Sequence, residues 1–236
     1  RSSDLRASVR LRYDINRPHL GLLAWVDDVP DDGDAQALLG KVIAEAAAAA
    51  GADSHVVHPV GSLAVAGWVS RREPFTEDEV TAAAVEVSGV RLAFGDPDAG
   101  LAGFRRTHQQ AAHARRVAGL TGPDGERVTR YREVAVAALA SADTEHAAAF
   151  VTRVLGPLAA DDEDTARVAS TLAVYLQENR SRARTAARLF VHPNTVSYRV
   201  NQAETILGRS IDVDTLELSV ALALLPTLPR LASGGL

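Results

Sequence analysis

A chain of 236 residues suits one large domain or two ordinary ones, and 47% hydrophobic against 23% charged residues excludes a disordered tail. The absence of Cys removes thiolate metal sites, thiol nucleophiles and disulfides together, leaving His and carboxylates as the common side-chain metal ligands. A net charge of −5 argues against indiscriminate coating of nucleic acid.

Charge distribution qualifies that average. Residues 1–163 carry 17 Lys and Arg against 24 Asp and Glu, whereas residues 164–236 carry 8 against 6, and Arg180 to Arg209 alone holds six Arg and one Glu. The positive field is focused in a short C-terminal segment. The excess of Arg over Lys and runs such as AEAAAAAGA read as genomic compositional bias. The sequence contains no Met and opens on RSSDLRASVR, so a fragment or a processed product is expected, with residues 1–14 a linker or the end of an upstream helix. The longest apolar run, Leu218 to Leu225, is far short of a membrane span, and no signal-peptide core opens the chain; a soluble, cytoplasmic protein with no membrane partner is expected.

In chain order, His19 to Val26 reads as an apolar strand followed by an acidic, Gly-containing turn at 27–34. Ala35 to Ala50 has strong helix formers, with Leu38, Leu39, Val42 and Ile43 at helical spacing and Gly51 as its stop. DSHVVHPV and GSLAVAGWVS make a hairpin turning near Gly61-Ser62. Thr76 to Glu79 is a capping box opening a helix to about Val87, and VRLAFG at 90–95 is the next strand. Strand, helix, strand, strand, helix, strand is the ferredoxin-like order, an antiparallel sheet burying one face against two helices. A further helix from about Gly103 to Ala118 has a narrow stripe of Phe104 and Ala111, Ala112, Ala114 and Ala118, with Arg105, Arg106, Arg115 and Arg116 turned outward. A loop at 121–126, a short strand at 127–130 and helices near 132–141 and 144–155 lead to Gly156-Pro157 and the acidic run at 161–164.

Asp164 is placed to cap a helix whose apolar face is Val168, Leu172, Tyr175 and Leu176, ending near Asn179. A short helix from Ala183 to Leu189 follows, then a three-residue connection and Pro193 at the first turn of a third helix. There Val196, Val200, Ala203 and Leu207 recur at steps of four, three and four and must face the other helices, and Gly208 ends the run. This geometry lets one helix cross a DNA backbone while the next enters the major groove. The expected DNA-facing set is Arg182, Arg184, Arg188, His192, Asn194, Thr195, Ser197, Tyr198, Arg199 and Gln202. Arg180, Arg182, Arg184 and Arg188 suit phosphates, Asn194 suits a phosphate or adenine, and Arg199 guanine or phosphate. His192 and Tyr198 divide between DNA contact and helix packing. The last helix opens on Asp214-x-x-Glu217, and its leucines surround so much of the surface that a second subunit or the upstream domain is expected to cover one face.

The segment TLAVYLQENRSRARTAARLFVHPNTVSYRVNQAETILGRSI closely resembles the C-terminal helix-turn-helix of the PucR/CdaR family of bacterial transcriptional regulators. The matching residues are Thr171-Leu172, Tyr175, Ala186-Ala187, Leu189, Val191-His192, Asn194-Thr195-Val196, Tyr198-Arg199 and Leu207-Gly208-Arg209; Pro193 departs from the polar residue common there, which removes one phosphate donor. RPHLGLLAW, HPVGSLAVAGW and VRLAFGDPDAGLAGFRRTHQQAAHARR resemble the degenerate nucleotide-cyclase-like domain that precedes it in that family. The resemblance spans about residues 12–226. It implies an α+β fold class, with an N-terminal ferredoxin-like or nucleotide-cyclase-like domain followed by an all-α helix-turn-helix domain. The expected divisions are 15–131 for the cyclase-like domain, 132–163 for a helical connector and 164–236 for the helix-turn-helix domain. It also implies a sequence-specific regulator of catabolic or metabolic genes, binding double-stranded DNA as a homodimer or higher oligomer, with a small-molecule effector as a further partner. Family members often carry another sensor domain upstream, which this sequence is expected to lack. The alternative is a ligand-sensing or protein-interaction regulator that does not bind DNA.

An enzyme is the competing class. Asp27 and Asp28 follow the first strand where a cyclase would hold Mg²⁺, but the hairpin HPVGSLAVAG has no acidic residue for a second anchor, so no catalytic residue, metal or cofactor is assigned. GDPDAG at 95–100 lacks the Lys of a phosphate loop, His55, His58, His108 and His113 match no metal motif, and Ser62 lies in no nucleophile elbow.

Overall fold

The structure is a computed structural model that describes residues 13–28, 33–122 and 125–227; residues 29–32 of the acidic turn after the first strand, and residues 1–12, lie outside them. Its contacts divide the chain into two compact units meeting between Ala138 and Leu139. The first contains β1 (Pro18–Val26), α1 (Ala35–Ala49), β2 (Ser54–Pro59), β3 (Ala64–Ser70), α2 (Glu77–Ala82), β4 (Val90–Phe94), β5 (Asp98–Ala99), α3 (Gly100–Thr121) and β6 (Val128–Arg130). α4 (Tyr131–Ala140) spans the division. The second unit contains α5 (Thr144–Leu155), a 3₁₀ turn (Gly156–Ala159), α6 (Glu163–Gln177), α7 (Arg182–Leu189), α8 (Pro193–Leu207), α9 (Thr215–Leu224) and a closing 3₁₀ turn (Leu225–Thr227).

The sheet runs β2-β3-β1-β4-β6, with β5 pairing the start of β1. β1 is antiparallel to β3 and β4, β2 is antiparallel to β3, and β6 joins parallel to β4. The expected βαββαβ order is present in β1 to β4. Its expected single buried face is not. Every β1 residue after Pro18 is buried, and the alternation of side chains sends them into two cores. Leu20, Leu22, Ala24 and Val26 share one with Leu39, Val42 and Ile43 of α1 and Val80 of α2. Leu23 and Trp25 share the other with Ala66 and Trp68 of β3 and with Ala111, Ala114 and Ala118 of α3. A stripe of small residues lets α3 lie close to the sheet where Gly21 and Gly95 stand beneath it, beside the larger Leu23, Trp25 and Trp68.

Gly21 and Gly95 show how close that approach is. The Gly21 amide donates to Thr107 Oγ1 of α3 at 2.8 Å, and the Gly95 amide donates to the Gly21 carbonyl at 2.9 Å. A Cβ built on Gly95 would lie 2.0 Å from the Thr107 carbonyl oxygen, which is backbone and has no rotamer through which to withdraw. Other expectations need smaller corrections. α3 is longer at both ends than 103–118, Ala112 faces solvent, Arg106 pairs with Asp98, and the Arg115 guanidinium lies over the Trp25 ring. α2 keeps its capping box but stops at Ala82, well short of Val87.

A buried polar chain ties the segment before β1 to the sheet. His19 is fully buried; its Nε2 donates to the Ile15 carbonyl at 2.9 Å, and with the ring neutral its Nδ1 accepts from the Tyr13 hydroxyl at 2.9 Å. Burial holds the His19 imidazole below its ordinary pKa against the opposing pull of the Ile15 carbonyl, Asp14 and Asp98. Desolvation, with the nearby His58, lowers His108 in the same direction.

Trp25 and Trp68 are the only tryptophans of the sequence and so report the unfolding of this unit by fluorescence. Gly95→Ala should lower its stability by about 1–3 kcal/mol through overpacking. Gly119→Ala, where a Cβ meets nothing within 4 Å, should raise it by about 0.5–1 kcal/mol. Because His19 and His108 have lowered folded pKa values, the unfolded chain takes up protons first. Stability present above the ordinary imidazole pKa of about 6.5 should fall as pH drops below it, by at most about 1.4 kcal/mol per pH unit per histidine. Denaturant titrations of the native chain and of His19→Gln across that window should show a shallower loss in the variant.

Candidate nucleic-acid interface

α8 is oriented by its buried seam. Val196, Val200 and Ala203 are buried and Leu207 half-buried, so the helix has one face committed to the interior. At 3.6 residues per turn the opposite face is centred on Asn194, Tyr198, Asn201 and Thr205, and all four are exposed. Ser197 lies on one flank; Thr195, Arg199 and Gln202 lie on the other and are half-buried. Asn201 was missed by the sequence reading, although its step of seven from Asn194 places it on the same stripe.

The helix ends are held by identifiable groups. His192 is the N-cap: its Nδ1 accepts from the Asn194 amide at 3.2 Å, and Pro193 occupies the first helical position. Gly208 closes the helix with φ 66°. Ser181 caps α7 through its hydroxyl. α6 is capped by Asp162 rather than the expected Asp164, its carboxylate accepting from the Thr165 amide at 2.9 Å. Asp214 makes no side-chain cap to α9.

Between α7 and α8 the chain turns through a Schellman motif. The Val191 amide donates to the Ala186 carbonyl at 3.0 Å and the Phe190 amide to the Ala187 carbonyl at 3.4 Å. Its left-handed position, normally glycine, is Phe190 with φ 53° and ψ 42°. That geometry costs an L-residue about 1–2 kcal/mol.

The arginines are more tethered than the sequence suggests. Arg184 and Arg188 both pair with Glu178, at 3.3 and 3.1 Å. Arg180 pairs with Asp212 at 2.6 Å and also donates to Thr215, tying the α6–α7 turn to α9. Arg209 donates to the Val213 carbonyl. Arg199 donates to Thr171 Oγ1 at 3.1 Å, bracing α8 against α6. Arg182 is exposed and has no ion pair among the described residues.

α9 is enclosed differently from the expectation. It packs on α5 and α6, burying Leu218, Ala221, Leu222 and Leu224, so α5 supplies the cover assigned to another subunit or the upstream domain. Leu216 remains 79% exposed.

At the end of β1 in the first unit, Asp27 lies 3.8 Å from the buried guanidinium of Arg91, which also donates to the Gly122 and Ala118 carbonyls at the end of α3. Arg91 therefore neutralises a helix terminus and the nearest carboxylate together. With no carboxylate on the β2–β3 turn, this donor set does not fit a pair of metal ions on a nucleotide, and among the described residues no three His, Asp or Glu cluster as metal ligands.

His192 provides a check on the local architecture. His192→Ala should destabilise the second unit by about 1 kcal/mol, whereas His192→Asn, which caps as well, should retain most of that stability. Thermal melts followed by circular dichroism would distinguish the two.

The description "PucR C-terminal helix-turn-helix domain" matches residues 168–225, and "GGDEF-like domain" matches residues 3–117. The purine catabolism regulatory protein of Bacillus subtilis is 36% identical over 75 residues, 32% of this chain and 14% of its own length. The transcriptional activator PmfR of Paenarthrobacter nicotinovorans is 39% identical over 67 residues, 28% of this chain and 14% of its own. The chain thus spans only a small part of these relatives. A crystal structure of a regulator of polyketide synthase expression from Bifidobacterium adolescentis aligns over 95% of this chain and 90% of that one, at 18% identity and a TM-score of 0.44. With the two matched domains in the order and positions of its two resemblances, the chain belongs to the PucR/CdaR family of transcriptional regulators, carrying a GGDEF-like domain followed by a helix-turn-helix.

Proposed function

We propose that the chain is a sequence-specific DNA-binding regulator of catabolic or metabolic genes that carries out no catalytic reaction of its own. The observation that carries this reading is the exposed stripe of Asn194, Tyr198, Asn201 and Thr205 lying opposite the buried seam of α8. A polar helix face of this kind, capped at its start and delivered by a short turn, fits the major groove. Asn194 and Asn201 offer the paired donor and acceptor that match adenine, while Arg182, Arg184 and Arg188 serve phosphates and orient the duplex. His192 acts first as the cap, with Thr195, Ser197, Tyr198 and Gln202 lining the approach. Arg199 contributes through its brace to Thr171, leaving only part of its guanidinium for the duplex. The names of the two relatives support a role in gene control, and that of the first a role in catabolism.

In this reading the cyclase-like domain occupies 15–131, a helical connector 132–163 and the DNA-binding domain 164–236. One helix-turn-helix reads one half-site, so a homodimer or higher oligomer presents the pair that a regulatory site requires. The GGDEF-like domain is the seat for a small-molecule effector. Among the described residues no single helix is long and apolar enough to cross a membrane.

Competition binding on genomic fragments at two salt concentrations tests this. Preferred fragments should outcompete bulk DNA, and equal retention of every fragment would leave only nonspecific attraction. Asn194→Ala should erode the preference by about 1–3 kcal/mol. Glu178→Gln, which releases Arg184 and Arg188, should instead raise affinity for bulk DNA more than for the preferred fragments and steepen the salt dependence.

A further inference from the structure

Phe190 is the feature of the second unit that neither the fold nor the reading above explains. Its ring is 95% exposed, more than that of Tyr198 at 68% and of every other large hydrophobic side chain described. It stands where the Schellman motif favours glycine, with φ 53°, so its backbone is strained as well. Glycine there would relieve both costs. An apolar side chain that gains no packing from its own unit, at a strained position, points to a use outside it.

The location restricts what that use is. Phe190 lies in the turn that carries α7 into α8, between Arg188 and the His192 cap, within the segment of six Arg and one Glu. Two such segments brought face to face repel, which disfavours a second copy of the chain as the ring's neighbour. A polyanion is attracted. In a docked helix-turn-helix the first helix crosses the backbone and the second enters the groove, so the connecting turn lies beside the sugar-phosphate strand at the groove's edge. Deoxyribose presents C–H surface there, the part of a backbone strand that an aromatic ring can cover without competing for phosphate oxygens.

We infer that Phe190 is a sequence-independent duplex contact, its ring packing on the deoxyribose of the strand flanking the groove that α8 enters. This rests on the DNA-binding reading and adds to it an apolar anchor distinct from the arginine contacts. Such a contact strengthens binding to every sequence and releases no counterion.

The test compares the full chain with Phe190→Gly and Phe190→Tyr on a preferred genomic fragment and on a short duplex of arbitrary sequence, each at two salt concentrations. Phe190→Gly should melt at a higher temperature yet bind both duplexes about tenfold more weakly, as expected for losing about half of a phenylalanine's burial. The slope of affinity against salt should not change, and Phe190→Tyr should bind as the native chain does. Native affinity in Phe190→Gly overturns the inference. So does a loss that accompanies dissociation of an oligomer in sedimentation, which assigns the ring to a second copy, or a loss confined to the preferred fragment, which assigns it to base readout. A native chain that binds neither duplex overturns the DNA-binding reading itself, and that result is distinct from the others.

Discussion

Which side of α8 is available to any partner is decided by the contact of Val196, Val200 and Ala203 with the neighbouring helices. Burying three small or β-branched residues at steps of four and three leaves the helix only one rotation about its axis. That rotation aims Asn194, Tyr198 and Asn201 outward together. The Arg199 bond to Thr171 locks the same rotation from the flank, and the caps at His192 and Gly208 set where the helix begins and ends. A functional surface placed by core packing keeps its geometry without ligand, and preorganisation lowers the ordering cost of binding.

The first unit shows the opposite use of small residues. Gly21 and Gly95 draw α3 so near that Thr107 takes up a β1 amide past the end of β4, closing the second face of a sheet that a plain ferredoxin-like fold leaves open. The same helix ends on Arg91, whose guanidinium is buried only because the Ala118 and Gly122 carbonyls and the Asp27 carboxylate surround it. Asp27, at the end of β1, thus lies beside a buried structural cation.

Legibility in the sequence followed the range of the interaction. α8 was readable from Pro193 to Gly208 because its punctuation and its seam are local, and the Thr76 capping box was equally plain. The double-sided burial of β1 is signalled by the continuous apolar run LGLLAWV, the pattern of a strand covered on both faces rather than the alternation of a half-covered one. What covers the second face was not readable, because that depends on the long-range fit of Gly21 and Gly95 to α3. The cover that α5 gives α9 was hidden for the same reason: leucines all round a helix say that it is enclosed, not by what. Phe190 was passed over because no sequence rule places a phenylalanine in a left-handed turn.

In the proposed DNA-binding role, the ion pairs of the arginines are what would keep the local positive field of a chain of net charge −5 selective. Free guanidiniums would attract any duplex, and nonspecific sites outnumber a regulatory site by many orders of magnitude. With Arg184 and Arg188 sharing Glu178, and Arg180, Arg199 and Arg209 each bonded within the unit, much of that attraction is withheld until a phosphate competes at the right place. A surface pair of this kind contributes at most about 1 kcal/mol to stability, so a correctly placed phosphate can displace its carboxylate while a distant one cannot. In the proposed DNA-binding role these tethers would weaken binding in general more than at a fitted site, and discrimination would then come as much from restraint of the arginines as from the polar stripe of α8.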